Sequence, residues 1–435
     1  MAFALSVIFL IEVLFLDRFE KVKNKFFTPI CALGLPFGII MLFVSIIDFT
    51  SFTEYKMSYV VPLCSLVYLT VFFIVGRVFS IRIPYIRRIL KRKYGRVNDG
   101  ILYEYNCKNC IYGPAFPIFV TVSFLLIIIY AIKQLGLSGV KDMNLIKTLF
   151  SDGIMAHLLI IICVIMLLMF AQAFTLKNSN LRFIYFALPV LWIGVVLLTE
   201  AKYFLITYAV TLIFIFLFFS KTKHVTLKVV FLFLLAALLF GIVYVARFLF
   251  QGETLRTIDY SFILNHYYYY FVSGFYAFSA SMERGLNGIA GIGIVLAPLL
   301  NIIKIFGIGK GAESISEFID VKVGLNYDKT NVFTLFGVYN HEIGMIYGLF
   351  FIALLALFVY YNYSKIFTEC SIARVVLVSY MFSTLVCAFF NSFYGTMNVW
   401  EIIILLLIFI YYEIIKKDKN SLLKTVIKRG KNNFE

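Results

Sequence analysis

Long apolar stretches alternate with short polar segments from one end of the 435-residue chain to the other. Stretches of about 18 or more mostly apolar residues are typical of transmembrane helices. On this criterion the pattern predicts spans at 2–16, 27–47, 58–80, 115–132, 155–175, 183–199, 203–219, 226–246, 343–361, 374–391 and 398–415. We therefore expect an all-α, polytopic integral membrane protein with about 11–13 transmembrane helices, at about 20 residues per crossing.

The segment 247–340 interrupts this regular pattern. It contains two further apolar stretches, 261–281 and 288–308, which either cross the membrane as a pair or form a re-entrant or interfacial pair. We expect it to be an extracytoplasmic loop within a single membrane domain, 1–415. A basic cytoplasmic tail, 416–435, follows that domain.

Basic residues are concentrated in every second polar segment. Seven lie in 81–96, and others follow the first span and fill the C-terminal tail. Since loops rich in Lys and Arg stay in the cytoplasm, we expect the N-terminus outside and the C-terminus inside. The net charge of +16 fits such loops better than it fits nucleic-acid binding. The N-terminal apolar run lacks a small-residue cleavage site after it, which favours a retained first span.

Composition and missing motifs narrow the chemistry. The chain is 62% hydrophobic and has a mean hydropathy of +0.95, so we expect no separate soluble domain of useful size. Asp-x-Asp and P-loop patterns do not occur, and we therefore expect no metal, no cofactor and no ATP hydrolysis. Cys107 and Cys110 are interpreted as free thiols in a reducing loop rather than as part of a four-ligand zinc site.

Ionisable residues at the ends of apolar stretches are candidates for function, because a charge in contact with lipid is unfavourable. On the expected outer face they are Glu200, Lys202, Arg247, Arg256, Glu283, Arg284, His341 and Glu342. Arginine matches phosphate and keeps its charge, so the basic members suit an anionic ligand such as pyrophosphate. A nearby carboxylate or imidazole can take a proton from an attacking hydroxyl. Together these are the parts of a glycosyl transfer from a lipid pyrophosphate.

Structural explanations for the same residues stay open. Arg247 and Arg256 also suit interfacial anchors whose charged ends reach the water. The neighbours Glu200–Lys202 and Glu283–Arg284 also suit local ion pairs or helix caps, and Glu342 also suits the positive end of a helix dipole.

Aromatic residues make up 18% of the chain and are densest from His266 to Phe278. Tyrosine prefers membrane interfaces, where its ring and its hydroxyl each find a partner. The segment therefore predicts either an interfacial belt or a wall that binds a sugar or an isoprenoid.

Three stretches in the second half of the chain carry a resemblance to a known family. They are YYYYFVSGFYAF (267–278), the glycine-interrupted segment ending near Gly309, and TNVFTLFGVYNHEIGMIYGLFF (330–351). In order and character they resemble the bacterial oligosaccharide repeat unit polymerases, the Wzy-type polymerases of O-antigen and capsule. Thr334, Tyr339 and Glu342 stand at the family's threonine, aromatic and acidic positions, with Glu in place of the commoner Asp. Ile343 replaces the usual Phe, and Lys202 stands where the family usually has Arg.

The resemblance implies a helical fold of the GT-C glycosyltransferase type in the bacterial cytoplasmic (inner) membrane. It implies a metal-independent enzyme that joins undecaprenyl-pyrophosphate-linked oligosaccharide repeat units into a surface polysaccharide on the outer face. The implied partners are these lipid-linked oligosaccharides, the lipid bilayer, a flippase and chain-length regulator proteins, with no nucleic acid.

On these grounds we assign candidate roles to single residues. The candidate catalytic residues are Glu342 and His341. Binding of the pyrophosphate is assigned to Arg247, Arg256, Arg284 and Lys202, and binding of the glycan is assigned to Tyr269, Tyr276, Asn331, Tyr339 and Asn340.

Three other functions stay open: a lipid-linked oligosaccharide flippase or transporter, an O-antigen ligase-type transferase, and a scaffold or sensor subunit. A transporter is expected to carry polar residues in mid-span and often two related halves, whereas the charges here lie at span ends.

Overall fold

The structure is a computed structural model of the chain. The residues it describes are 1–20, 28–48, 55–80, 112–113, 115–139, 145, 149, 153–176, 178–198, 202–219, 241, 245, 260–285, 288, 293, 295–305, 307–311, 318–323, 327–366 and 371–431. The span expected at 226–246 lies almost wholly outside these residues.

The described residues form mainly α-helices. They are α1 (Ala2–Phe19), α2 (Pro29–Ile47), α3 (Val60–Ser80), α4 (Ala115–Gly139), α5 (Gly153–Ala173), α6 (Ser179–Leu198), α7 (Lys202–Phe219), α8 (Tyr260–Glu283), α9 (Ala297–Ile305), α10 (Leu335–Ile366), α11 (Ile372–Val386) and α12 (Met397–Lys431). Two 3₁₀ turns, Cys387–Phe389 and Phe393–Gly395, connect α11 to α12.

Eight helices in the described part of the chain are long and apolar enough to cross a membrane. They are α2 to α6 and α10 to α12; α7 adds a shorter apolar stretch, Phe204–Phe219. The prediction of a helical, multi-pass membrane protein is therefore confirmed. Helix α1 forms where a span was predicted, but it carries Glu12, Asp17 and Arg18 and is not among the eight.

A small antiparallel hairpin is the one β-sheet among the described residues. Strand β1 (Ile319–Val323) pairs with β2 (Tyr327–Thr330), with Ile319 opposite Thr330 and Asp320 opposite Lys329. The side chains of β1 alternate between buried and exposed, as expected for a strand that packs one face on the protein. The all-α class still describes the chain, and the hairpin is a local addition that the hydropathy pattern did not predict.

The helix bundle has two ends, which we call upper and lower. At the upper end α2 finishes and α3 and α12 begin; at the lower end α1 and α10 finish and α2 and α11 begin. Ser6 near the start of α1 bonds Ser45 at the upper end, whereas Tyr112 contacts Glu413 of α12 at the lower end. The chain therefore enters α1 at the upper end, and α12 runs to the lower end.

Helix α10 bends sharply at Gly344, whose φ of 79° and ψ of 165° are not helical. Twelve positions would separate the rings of Tyr339 and Phe351 by about 18 Å along a straight helix. Their centroids are instead 6.1 Å apart. Glycine is the residue that adopts this backbone conformation without strain. The bend divides α10 into a short part, 335–343, and a long part, 345–366.

An aromatic cluster joins the short part of α10 to the helices beneath it. The Phe336 ring lies 4.8 Å from that of Phe37 on α2 and stacks at 5.1 Å on that of Tyr68 on α3. Phe275 of α8 contacts the same Phe37 ring at 5.0 Å. Buried aromatic pairs of this kind stabilise packing by about 0.5–1.5 kcal/mol beyond the area they bury. The cluster fixes α8 and the short part of α10 side by side at the upper end.

Within 247–340 the structure describes two helices of different character. Helix α8 has 24 residues and carries the Tyr-rich segment, and it is not among the eight apolar helices. Helix α9 has 9 residues. At 1.5 Å per residue it is about 14 Å long, which is less than half of the hydrocarbon thickness.

Candidate functional site

His341 and Glu342 lie together inside the protein at the end of the short part of α10. Glu342 is 0% exposed and His341 is 5% exposed. Nε2 of His341 lies 4.0 Å from Oε1 of Glu342. On its other side, Nδ1 of His341 is 2.8 Å from Oγ of Ser281, a hydrogen bond that joins α10 to α8. The histidine therefore stands between a serine hydroxyl and a carboxylate.

The ring of His341 is also held by an aromatic neighbour. Phe333 stacks on it with a centroid distance of 4.7 Å and an interplanar angle of 18°. Phe333 comes just before α10, and Thr334 caps that helix by accepting a hydrogen bond of 2.9 Å from the N–H of Gly337. The cap fixes where the helix begins and so the distance from Phe333 to His341.

Close packing of α8 against the start of α10 brings Ser281 to His341. A methyl group on Gly274 of α8 would lie 2.8 Å from the carbonyl oxygen of Phe389 and 3.0 Å from the backbone nitrogen of Thr334. Glycine at this position therefore allows the two segments to approach. Further along, Nδ2 of Asn340 lies 2.7 Å from Sδ of Met282, next to Ser281.

A backbone contact closes the site at the bend. The N–H of Gly288 donates to the carbonyl oxygen of His341 at 2.9 Å. Carbonyls at the end of a helix lack partners within that helix, so the contact satisfies one of them. It also places Gly288, at the start of the glycine-interrupted segment, next to the His–Glu pair.

A second layer of polar contacts surrounds the end of α8. Tyr276 donates to Oδ1 of Asp48 at 2.8 Å, and the N–H of Met57 donates to Oδ2 of the same carboxylate at 2.9 Å. Tyr55 donates to Oε2 of Glu283 at 2.7 Å. Burial, and next to it the contact with Glu283, raise the pKa of Tyr55 to about 12. These contacts anchor the segment between α2 and α3 on α8.

Arg284 lies at the exposed end of α8, three positions after Ser281. Its Nη2 donates to the backbone oxygen of Asp320 in β1 at 2.6 Å. In this structure the guanidinium thus holds the β1–β2 hairpin. Lys329 of that hairpin pairs with Asp320 at 3.3 Å, and both of these side chains are exposed.

The residues assigned to the glycan lie close to this site but are mostly buried. Tyr269 bonds Thr330 of β2 at 2.9 Å, and Tyr276 bonds Asp48. Tyr339 and Asn340 are buried in the short part of α10, whereas Asn331 is half-buried just before it. The structure thus gathers them around α8 and α10, with protein partners.

Three residues assigned to the pyrophosphate are not placed with this group. Arg247 and Arg256 lie outside the described residues, and Lys202 is described only as the first backbone position of α7. Of the four assigned cations, Arg284 is the one whose side chain the structure describes.

Sequence reasoning missed several residues of the site. Ser281 and Phe333 touch His341, and Asp48 binds Tyr276. Asp48 could have been predicted as a site residue, because it is an acidic residue directly after a predicted span. Ser281 carried no comparable signal, because a serine in a helix near a membrane interface is common. Among the described residues no cluster of three or more His, Cys, Asp or Glu side chains is arranged to hold a metal ion.

The arrangement can hold and move a proton. A neutral imidazole has one protonated and one unprotonated nitrogen, and the partner of one nitrogen determines which. His341 contacts an alcohol through Nδ1 and faces a carboxylate through Nε2, so one imidazole links a hydroxyl to a carboxylate. Burial strengthens this coupling, because water does not screen the two groups.

Comparison with known proteins assigns most of the chain to one family. A family model matches residues 66–419, and that family is described as a family of unknown function, DUF6337. Comparison with curated proteins and with solved structures gives no significant match.

Proposed function

The chain belongs to the DUF6337 family, and we propose that it is a glycosyltransferase that polymerises lipid-linked oligosaccharides. It takes a growing glycan from undecaprenyl pyrophosphate and joins it to the next lipid-linked repeat unit at the outer face of the bacterial cytoplasmic membrane. The surface polysaccharide is an O-antigen, capsule or exopolysaccharide, and the architecture is of the GT-C type.

The observation that carries this proposal is the buried pair His341 and Glu342 at the upper end of the bundle. Among the described basic residues, Arg18, Arg77 and Lys365 lie in the last turns of helices that end at the lower end. Loops rich in Lys and Arg stay in the cytoplasm, which favours the upper end as the outer face. An acid–base pair at that face suits a reaction on exported lipid-linked sugars.

In the proposed reaction Glu342 accepts the proton of the acceptor hydroxyl. The hydroxyl oxygen forms a bond to the anomeric carbon of the donor, and the bond from that carbon to the pyrophosphate oxygen breaks. The lipid pyrophosphate leaves with the bonding electron pair and the negative charge. A positioned general base of this kind contributes about 10²–10⁴-fold in rate.

Access to Glu342 requires movement in the protein, because the carboxylate is 0% exposed. The bend at Gly344 and the backbone contact from Gly288 to His341 lie where such movement exposes the pair. Binding of the lipid-linked acceptor against the short part of α10 is the step that drives it.

In the proposed reaction, basic side chains neutralise the leaving pyrophosphate. Arg284 uses one N–H on the Asp320 carbonyl, and a guanidinium has five such donors. We assign the remaining charge to Arg247, Arg256 and Lys202, as the sequence predicts. Arginine suits this role because it stays protonated and presents a planar fork to phosphate.

The test is replacement of Glu342 by Gln, which keeps the shape of the side chain and removes the base. The expected result is loss of polymer while single repeat units persist on the lipid carrier outside the membrane. The matched control is Glu401→Gln, which alters a carboxylate at the same end whose partner is the exposed His157. Normal-length polymer in Glu342→Gln at normal protein level would remove Glu342 from the mechanism.

The same experiment separates polymerase from flippase. A strain without the polymerase keeps translocated single units outside, whereas a strain without the flippase keeps them inside. Single units that stay on the cytoplasmic side in the deletion strain would contradict the proposed function.

A further inference from the structure

In the described part of the chain, Phe333 and Ser281 both contact the imidazole of His341, and each determines a different feature of its orientation. The stacked ring of Phe333, 4.7 Å away, fixes the plane of the imidazole. It does not distinguish that ring from the same ring turned by 180°, in which Nδ1 changes place with a carbon. The hydrogen bond of 2.8 Å between Oγ of Ser281 and Nδ1 makes that choice.

Ser281 is itself held in place. It is 0% exposed and lies on α8, which packs closely on the start of α10 at Gly274. Its neighbour Met282 contacts Asn340, the residue before His341. The hydroxyl therefore faces Nδ1 from a fixed position.

The chosen orientation turns Nε2 of His341 towards Glu342, 4.0 Å away. An N–H that faces a carboxylate is favourable, whereas an unprotonated nitrogen there places two electron pairs against each other. We infer that Ser281 is a positioning residue: its O–H donates to Nδ1 and holds His341 as the Nε2–H tautomer facing Glu342.

The inference has a consequence for the reaction, and this part rests on the proposed function. The imidazole N–H stabilises the negative charge of Glu342 before that carboxylate takes a proton. Without Ser281 the ring turns and the tautomers mix, so part of the protein population loses this arrangement. We expect Ser281→Ala to lower polymer formation by about 10-fold, less than the 10²–10⁴-fold of losing the base itself.

The direct test is independent of any activity. The chain has four histidines, so ¹⁵N labelling of histidine in the purified full-length protein gives few imidazole signals. His341→Gln identifies the signals of His341. The wild type is expected to show one protonated nitrogen at Nε2 and one unprotonated nitrogen at Nδ1. Ser281→Ala is expected to move both signals towards the average of two tautomers.

Two variants make the result specific. Ser273→Ala removes another buried hydroxyl from α8, one that has no hydrogen-bond partner among the described residues, and leaves the His341 signals in place. Ser281→Thr keeps the hydroxyl and restores the wild-type pattern. An Nδ1–H tautomer or an imidazolium in the wild type, or unchanged signals in Ser281→Ala, would overturn the inference. If Ser281→Ala leaves the His341 signals unchanged while Glu342→Gln still abolishes polymer, the role of Ser281 is rejected and the proposed function stands. If Ser281→Ala changes the signals while Glu342→Gln makes normal polymer, the proposed function is rejected and the role of Ser281 stands.

Discussion

Gly76 on α3 lies directly against the ring of Tyr360 on α10. A methyl group at Gly76 would overlap the ring carbons of Tyr360. The ring has little freedom to move away, because its hydroxyl donates to Oε1 of Glu20 at 2.6 Å. α3 and α10 therefore pack closely at this point because Gly76 has no side chain.

Gly76→Ala is expected to destabilise the protein. Overpacking of a well-packed site costs about 1–3 kcal/mol, which exceeds the gain of about 0.5–1 kcal/mol from replacing a helical glycine. The measurement is the thermal unfolding temperature of the purified protein in detergent. Gly194→Ala on α6 is the matched control, since an added methyl group there meets nothing within 4 Å. An unfolding temperature that falls equally in both variants would show that the contact with Tyr360 is not responsible.

Gly344→Ala is expected to lower both stability and polymer formation. The backbone at Gly344 has a φ of 79°, and residues with a side chain adopt such angles only with strain of about 1–3 kcal/mol. Space is not the cause, because nothing lies within 4 Å of an added methyl group. The measurement combines the unfolding temperature with the length distribution of the polymer. Gly194→Ala again serves as control, and a wild-type ladder in Gly344→Ala would contradict a role for the bend.

Glu413→Ala is expected to destabilise the lower end of the bundle more than Glu413→Gln does. Oε1 of Glu413 accepts hydrogen bonds from the hydroxyl of Tyr112 and from the N–H of Ala373 at the start of α11. Alanine leaves both buried donors without an acceptor, at about 1–3 kcal/mol each, whereas glutamine keeps an oxygen in place. Unfolding temperatures of the single variants and of their combinations with Tyr112→Phe measure the coupling. Equal effects of Ala and Gln would mean that the charge matters rather than the acceptor.

Arg284→Ala is expected to loosen the β1–β2 hairpin with little effect on global stability. The side chain is exposed and donates a hydrogen bond to Asp320, and bonds of this kind contribute about 1 kcal/mol. Hydrogen exchange in 319–323 is expected to rise, while exchange in α2 and α3 stays unchanged. Lys329→Ala is the control, because an exposed ion pair is worth about 0–1 kcal/mol. Equal protection of the hairpin in Arg284→Ala and in the wild type would exclude the anchor.

The positions of most spans were predictable from local hydropathy. A span expected at 58–80 is α3 from Val60 to Ser80, and one expected at 374–391 begins as α11 at Ile372. Such spans are local properties, because each must cover the hydrocarbon thickness with apolar residues. The alternation of Ile319, Asp320, Val321, Lys322 and Val323 has the period of two that is typical of a strand, but five residues do not stand out beside the longer apolar runs.

The site was only partly predictable. His341 and Glu342 stood out because ionisable residues beside a span need a reason. The residues that contact this pair did not stand out, since Ser281 is 60 positions away from His341 in the sequence. Hydropathy does separate the two parts of α10, because the predicted span 343–361 begins next to Gly344. It does not indicate that 335–343 is itself helical and packs inside the protein. The bend follows from one backbone conformation at Gly344, which a single sequence does not specify.

The bend in α10 also resolves a hydrophobic mismatch. A straight helix of 32 residues would be about 48 Å long, far more than the hydrocarbon layer of about 30 Å. The long part alone, 345–366, is about 33 Å, and it matches that layer with little tilt. The short part, 335–343, turns away from the axis of the long part at Gly344. Its residues Tyr339, Asn340, His341 and Glu342 therefore lie in the protein interior. One glycine thus adjusts the helix to bilayer thickness and keeps four polar side chains away from lipid.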